Sequence, residues 1–300
     1  MALGMSFFKK RYKALMILIF SFSDIIASPQ MPDYIIYKND TIPSYNLLVE
    51  QYLQKNGHAS QEQLFGLSFR DGSSFNCWRG YQAIYKLEND SLLLTAIIDC
   101  GTLRRKVSGS GESAKKIKSI FAKKMINGKV FIDWFTGDLN FPLTNKILRW
   151  DGVFYRIFEN ETVLHIANGH VSGVENVNNY IENANAIHRR YGAKLSDTLF
   201  GVLKNIKWKN PEQCDCSEKY AITINKRGRV SKIAMVEYKT AGEIKANFEK
   251  GEYRYCINTI HRALRKLKFD IIKDKGKPIA EDVFLEIWIN DDGKIDNWTN

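Results

Sequence analysis

Apolar residues recur along this chain with two periods, near 2 and near 3.6, and each change of period marks an element. Residues 33–37 alternate as a strand does, and Asn39-Asp40 supplies a turn. Over 45–54, Leu47, Leu48, Tyr52 and Leu53 share one helical face that Asn56-Gly57 ends. The runs 78–87 and 91–99 flank Asn89-Asp90 and predict a hairpin. Val-Phe-Ile-Asp-Trp-Phe within 129–136 predicts a further strand, closed by Gly137-Asp138. The runs 146–150 and 153–158 around Asp151-Gly152 predict a second hairpin, and 162–168 another short strand. After Gly173, Val177, Tyr180, Ile181, Ala184 and Ile187 repeat at three and four, which predicts a helix. The region is strand-rich first and helical last, with no repeat of fixed period.

Residues 211–217 read as a linker. Beyond it Tyr220, Ile222 and Ile224 alternate, and 225–228 form a turn in which Gly228 is free to take positive φ. The run 230–238 pairs back. Over 253–268, Tyr253, Cys256, Ile257, Ile260, Leu264 and Leu267 form one apolar stripe, with Arg254, Arg262, Arg265 and Lys266 off it. The late cations suit the negative end of the helix dipole. Val283, Leu285, Ile287 and Ile289 make a final strand of period two. A helix on one face of a small antiparallel sheet buries both stripes. The expected fold class is α+β. A strand-rich mixed domain over 30–210 precedes a small antiparallel sheet covered by one helix over 214–300.

The hairpin around Gly228, the stretch Leu264-Arg-Lys-Leu-Lys-Phe269, Gly276-Lys277-Pro278 and the closing strand together resemble the C-terminal domain of TonB over residues 218–290. That family implies a periplasmic domain that binds an extended peptide along its sheet edge. The usual Tyr-Pro lead-in is missing, and the six prolines are scattered rather than gathered in a spacer. The resemblance therefore implies the domain and not the energy-transducing function. A second likeness covers 33–165. Asp33-Tyr-Ile-Ile-Tyr, Trp78-Arg79-Gly80-Tyr81 and Asp133-Trp134-Phe135-Thr136-Gly137 with Leu139 resemble an exported protein family of Bacteroidetes-type bacteria that carries no known activity. The chain departs from that family's glycine- and tyrosine-rich run after Trp150.

The N-terminus changes the charge. Lys9, Lys10, Arg11 and Lys13 precede a short apolar run over 14–22, and Ser21-Phe22-Ser23 offers small residues for cleavage before Asp24, with Ala27-Ser28 as a second option. This is the pattern of a secretory signal peptide over 1–23. The run falls short of the about 20 residues that a bilayer span needs, and no later segment reaches that length. Cleavage removes four cations from a formal +11, leaving +7. For an exported chain, a basic balance favours an envelope protein or peptide partner over nucleic acid, and peripheral contact with an anionic membrane surface also fits it. The densest basic stretch, 104–129, sets nine cations against Glu112 alone and interleaves no aromatic platform. Five cysteines are too few for a disulfide scaffold, though export permits bridges. One bridge with three thiols and two bridges with one thiol both fit. Cys214-x-Cys216 with distant Cys256 lacks the fourth ligand of a metal site.

No nucleophile elbow, His-Glu-x-x-His or phosphate loop occurs, and no cofactor is implied. His165 and His170 straddle Asn168-Gly169, which breaks any helix that would align them; His58 and His188 are isolated. Trp78, Arg79, Asp133 and Trp134 are the types that line a polar-rimmed aromatic cleft, or else two core tryptophans with their charges paired. On the final strand, Phe284, Glu286 and Trp288 are the side chains that would give specificity to a peptide added at the 282–289 edge; in the other reading the tail, 291–300, caps that edge. The function expected is that of a non-catalytic, protein-binding component of the periplasm or envelope. The alternatives are an exported hydrolase acting on cell-wall or glycan material and an immunity-type factor for a secreted partner. N-terminal sequencing of the exported chain is expected to begin near Asp24 or Ser28; an intact Met1 in the cytoplasmic fraction overturns this.

Overall fold

The computed structural model describes residues 29–56, 63–64, 67–68, 74–101 and 110–299. The expected signal segment, His58 and Arg104, Arg105 and Lys106 lie outside them. The first part of the chain runs β1 (Asp33–Tyr37), β2 (Asp40–Ser44), α1 (Leu48–Lys55), β3 (Gln63–Leu64), β4 (Leu67–Ser68), β5 (Tyr81–Glu88), β6 (Ser91–Asp99), α2 (Ser110–Phe121), β7 (Met125–Ile126), β8 (Lys129–Phe131), β9 (Gly137–Pro142), β10 (Ile147–Trp150), β11 (Arg156–Phe158), β12 (Asn160–Ala167) and β13 (His170–Asn178). The second runs β14 (Tyr180–Ile181), α3 (Leu195–Leu203), β15 (Glu218–Ile224), β16 (Val230–Met235), α4 (Ala241–Asn247), α5 (Glu252–Leu264), β17 (Ile271–Asp274), β18 (Lys277–Pro278), β19 (Glu281–Ile289) and β20 (Ile295–Asn297).

The fold is α+β. A nine-stranded mixed sheet has the order β2-β1-β5-β6-β13-β12-β9, with β8 on β6 and β7 on β8. The β1–β5 pairing is parallel and its neighbours are antiparallel. The sheet curls until its two ends meet. Tyr37 of β1 stacks on Phe141 of β9 at 5.9 Å, and Asn46, just past β2, donates to the Asp138 carbonyl at 3.2 Å. Inside lie Ile35, Tyr81, Tyr85, Leu94 and Leu164, together with Leu48, Val49 and Leu53 of α1 and Ile117 and Phe121 of α2. An ion pair crosses this core. Asp33, fully buried, accepts from Arg79 Nη1 at 2.8 Å and from the Ala83 amide at 2.9 Å, and Arg79 also donates to the Met31 carbonyl at 3.0 Å. Charges so placed persist only when their hydrogen bonds are met within the fold.

Tight two-residue turns shape this sheet. Lys38-Asn39, Asn89-Asp90, Asn127-Gly128 and Asn168-Gly169 all have positive φ at both positions, the turn whose twist suits paired strands. Two expectations fail here. The run expected as one strand over 129–136 ends at Phe131, and Gly137-Asp138 open β9 instead of closing it. A turn at Asp133-Trp134 lets Ile132 and Phe135 both enter the core and lays Trp134 on Phe121 at 5.6 Å, which a straight strand's alternation forbids. Where a helix was expected after Gly173, β13 runs on to Asn178, β14 takes Tyr180 and Ile181, and the described residues from there to α3 form no helix. The turn at Asn168-Gly169 launches β13 back along β12, and its eight residue pairs, Val177 on Glu161 among them, outweigh the three-four recurrence of Val177, Tyr180, Ile181, Ala184 and Ile187. Gly169 permits this, since a Cβ there would lie 2.6 Å from the Ile132 carbonyl oxygen.

The second sheet is antiparallel, in the order β16-β15-β19-β20. Tyr220, Ile222 and Ile224 of β15 and Leu285, Ile287 and Ile289 of β19 point to one face, where Cys256, Ile260 and Leu264 of α5 cover them. The helix on this sheet was expected. A second one, α3, adds Leu199 and Leu203 to the same core, as do Ile187 and Trp208. This core therefore reaches back before residue 211. The turn at Gly228 has the expected positive φ, 67°, and a Cβ there would meet the Phe269 carbonyl oxygen at 2.1 Å. The short helix α4 starts at a capping box, Thr240 with Glu243. Between the two units sits a small three-stranded sheet, β14-β17-β18. Its Tyr180 and Ile272 pack with Leu148 and Ile157 of the β10–β11 hairpin.

Two disulfides form, Cys77–Cys100 and Cys216–Cys256, which suits an oxidising compartment outside the cytoplasm. No helix among the described residues is long and apolar enough to cross a membrane. The second bridge pins the 211–217 segment to α5, and Cys214 is a buried free thiol whose Sγ lies 3.9 Å from both sulfurs of that bridge. Cys216→Ser is therefore expected to form a Cys214–Cys256 bridge in its place, read by non-reducing peptide mapping. Cys256→Ser removes the one cysteine on α5, so no bridge can tie the 211–217 segment to that helix, and it is expected to cost about 2–4 kcal/mol. Two free thiols in the exported Cys216→Ser protein, at Cys214 and Cys256, would show that Cys214 is out of reach.

Candidate functional site

The four residues expected to line a cleft in the first domain do not converge. Arg79 is buried on Asp33. Asp133 is exposed and holds Lys124 at 2.6 Å. Trp134 packs between Tyr52 and Phe121 and donates its indole N–H to the Leu48 carbonyl at 2.9 Å. Trp78 is 39 % exposed and meets Phe154 edge-on at 6.4 Å. The basic stretch also finds partners within the fold. Lys116 pairs with Asp99, and Lys129 with Glu88, whose carboxyl this holds down to about 2 together with Lys86.

His165 and His170 lie on adjacent strands, on either side of the turn between β12 and β13. The His165 imidazole stands between Asp138 at 2.7 Å and Glu175 at 3.2 Å, and Asp138 chiefly raises its pKa. His170 meets Ser91 Oγ at 3.3 Å. Neither arrangement combines a nucleophile, a base and an orienting carboxylate among the described residues.

On the final strand, Phe284, Glu286 and Trp288 do share the outer face of the second sheet. Phe284 is 49 % exposed and Trp288 46 %, and Trp288 stacks on Trp298 at 5.1 Å. The edge expected to be open over 282–289 is only half so. The tail returns as β20, pairing Ile287, Trp288 and Ile289 with Asn297, Asp296 and Ile295. The Trp298 amide then donates to the Glu286 carbonyl at 2.9 Å, and Thr299 Oγ1 accepts from the Glu286 amide at 2.9 Å. There the cover stops. Backbone groups alternate sides along a strand. Glu286 turns its own toward the tail, so Phe284 and Asp282 present theirs on that same side. The opposite pairing agrees, with Leu285 and Val283 facing Tyr220 and Ile222 of β15.

A groove of about 510 Å³ lies along this open half. Residues 281–284 form one wall. Leu148, Arg149 and Trp150 of β10, with Tyr191, Lys194 and Leu195, stand around it. Tyr191 is exposed. Its end is fixed by Glu281, whose carboxylate takes Arg149 Nε at 2.6 Å and Nη2 at 2.7 Å and also Arg189 Nη2. Arg189 is fully buried, and burial pulls its pKa below the ordinary guanidinium range while Glu281 pulls it up. Arg149 Nη1 also donates to the Arg189 carbonyl at 2.8 Å. One carboxylate thus ties together the β10 strand, the 182–194 segment and the start of β19.

A second concavity, of about 410 Å³, opens where the curled sheet meets the small junction sheet. Pro43, Tyr45, Pro142, Phe154, Arg156 and Lys275 are among its lining, and no carboxylate is. The paired carboxylates that a glycoside hydrolase requires are therefore missing from it. No family model, curated protein or solved structure matches the chain.

Sequence reasoning placed the outer face of β19 and missed the groove. Its opposite wall comes from a segment without periodic pattern, and Arg149 lies 132 positions from Glu281. Glu281→Ala strands a buried guanidinium and is expected to cost about 3–5 kcal/mol in chemical denaturation. The exposed neighbour change Asp282→Asn is expected to stay within about 0.5 kcal/mol. Equal effects of the two would remove Glu281 from this structural role.

Proposed function

We propose that this chain is an exported, non-catalytic binding protein of the cell envelope, working in the periplasm, and that its C-terminal sheet takes up an extended peptide segment of another envelope protein. The observation that carries the reading is the half-open edge of β19. Asp282 and Phe284 offer two N–H and two C=O groups to a groove rather than to bulk solvent. An added strand would use all four, each bond contributing about 1 kcal/mol net. Alternate side chains of the peptide would meet the outer aromatic face at Phe284, or the Tyr191 and Leu195 side of the groove. The segment engaged is about five residues long, since the open edge spans roughly 17 Å.

Several features support this. The resemblance of 218–290 to the TonB C-terminal domain carries the same mode of recognition, though here the tail occupies the edge from Glu286 onward. The two disulfides and the basic, short apolar N-terminal pattern support export.

Proline tests the backbone's part directly. At Phe284 it removes an N–H that faces the groove and leaves the β15 ladder intact. Heptapeptides selected by display against the mature chain are the probes. Phe284→Pro is expected to weaken their binding at least about tenfold with the thermal midpoint kept near that of Phe284→Ala. Phe284→Ala, which keeps the N–H, is expected to weaken it less. Equal binding by Phe284→Pro and the parent chain would eliminate strand addition.

A further inference from the structure

We propose that the cleft at the junction of the two units, walled by Tyr45, Phe154, Arg156 and Lys275, binds a small carboxylate that carries a ring. The site is separate from the β19 groove and does not rest on peptide binding.

The argument starts with Arg156, at the start of β11. Its guanidinium lies 4.3 Å from the ring of Tyr45 and 5.0 Å from that of Trp150. Aromatic rings on this scale hold a guanidinium by its faces and leave its N–H groups for in-plane acceptors. Its Nη1 is buried and has no acceptor among the described residues, and Arg156 makes no ion pair there. An unmet donor on a charged group costs at least about 1–3 kcal/mol, and native folds rarely leave one without a use.

The nearby carboxylates are not available to it. Glu161 is buried and accepts from Asn140 Nδ2 at 2.9 Å, the Phe158 amide at 3.1 Å and Asn179 Nδ2 at 2.7 Å. Asp151 Oδ1 accepts from the amides of Val153, Phe154 and Tyr155 at 2.7, 2.9 and 3.0 Å. That turn fixes the loop carrying Phe154. Asp274 faces the Tyr155 phenol, which burial and this carboxylate hold above its ordinary pKa. None of these carboxylates meets Arg156, so among the described residues its Nη1 is left open to an acceptor bound in the cleft.

The remaining walls define the rest of the ligand. Lys275 sits at the tip of the β17–β18 turn, a second cation on the opposite side, held there by the Gly276 amide on Asn179 Oδ1 at 2.9 Å. Two cations with no lining anion select a negative ligand. A planar fork selects a carboxylate over a spherical anion. Pro43, Pro142 and Phe154 give apolar surface for a ring. A volume of about 410 Å³ fits a ring compound of modest size. Because Arg156 belongs to the β10–β11 hairpin and Lys275 to the junction sheet, the ligand would also brace one against the other.

Isothermal titration of the mature chain provides the test. Benzoate and glucuronate are the probes, with benzyl alcohol and glucose as neutral counterparts. At least one acid is expected to bind saturably and its counterpart not. Preference for benzoate would mark an aromatic acid as the natural class, and preference for glucuronate a sugar acid. Arg156→Gln is expected to weaken binding at least about tenfold, and Arg156→Lys, which keeps charge without the fork, to fall between. Lys275→Gln, at an exposed turn, is expected to lose about three- to tenfold and serves if Arg156→Gln does not fold. The proposal is overturned if neither acid binds up to about 10 mM, if the neutral compounds bind as well, or if both Gln variants keep full affinity.

Discussion

The Glu281 carboxylate is the constraint on which the two-part architecture depends. It takes one arginine through two parallel bonds and a second that has no exposure to solvent. The Arg189 guanidinium could not stay where it is without that acceptor, because a buried cation must be paired. Arg149 belongs to the β10–β11 hairpin, and Arg189 to the segment that leads into α3. Glu281 begins β19. The carboxylate therefore fixes three stretches at one point. Around it Tyr180, Ile272, Leu148 and Ile157 form a small apolar core that neither large sheet contains. The groove beside β19 and the cleft at Arg156 both borrow walls from the hairpin it holds. Apolar packing alone would allow the hairpin to slide, whereas a bidentate pair sets its register.

How much of this could be read from the sequence depended on distance along the chain. The β5–β6 hairpin, the β10–β11 hairpin, α5 and the alternation of β15 and β19 are local patterns, and each was legible. Asn168-Gly169 was equally local. It is an Asn-Gly hairpin signal like Asn127-Gly128, but as a mere helix breaker it left the residues after Gly173 to be assigned by periodicity, and the spacing of Val177, Tyr180, Ile181, Ala184 and Ile187 misled. Thr240 and Glu243 spelled a capping box that also went unread. Other features had no local signal. The sequence cannot announce that Asp33 accepts from Arg79 46 positions away, or that Ile187 and Leu199 serve the second core. The site residues divide the same way. Phe284, Glu286 and Trp288 follow from period two. Arg156, Tyr45 and Lys275 come from three separate turns and meet only in space.

The cysteines join the two kinds of information. Their export context was legible, and their pairing was not. The first bridge closes the turn ahead of β5 onto the end of β6. The second ties the stretch before β15 to the middle of α5, so that the segment entering the sheet cannot drift from the helix covering it. Ser217, next to that bridge, accepts the Ile289 amide at 2.9 Å. The covalent tie therefore extends by one hydrogen bond to the far end of β19, the strand whose other end Glu281 holds.

A strand held at both ends and open in the middle is unusual, because free edges invite pairing between copies. Here the exposure is limited by three means. The tail covers the edge from Glu286 to Ile289, and Thr299 closes the last covered position with its side chain, where a longer strand would have continued. Asp282 puts a carboxyl on the open half, engaged by Thr223 Oγ1 at 2.5 Å, and charge on an edge discourages self-pairing. The 189–196 segment stands over the groove, so a flat sheet from a second copy would meet Tyr191 and Lys194 before it reached the backbone. A single extended segment is thin enough to pass them. The same features that protect the edge against another sheet thus leave room for a lone strand, and under the proposed function that difference in thickness would select a peptide over self-association.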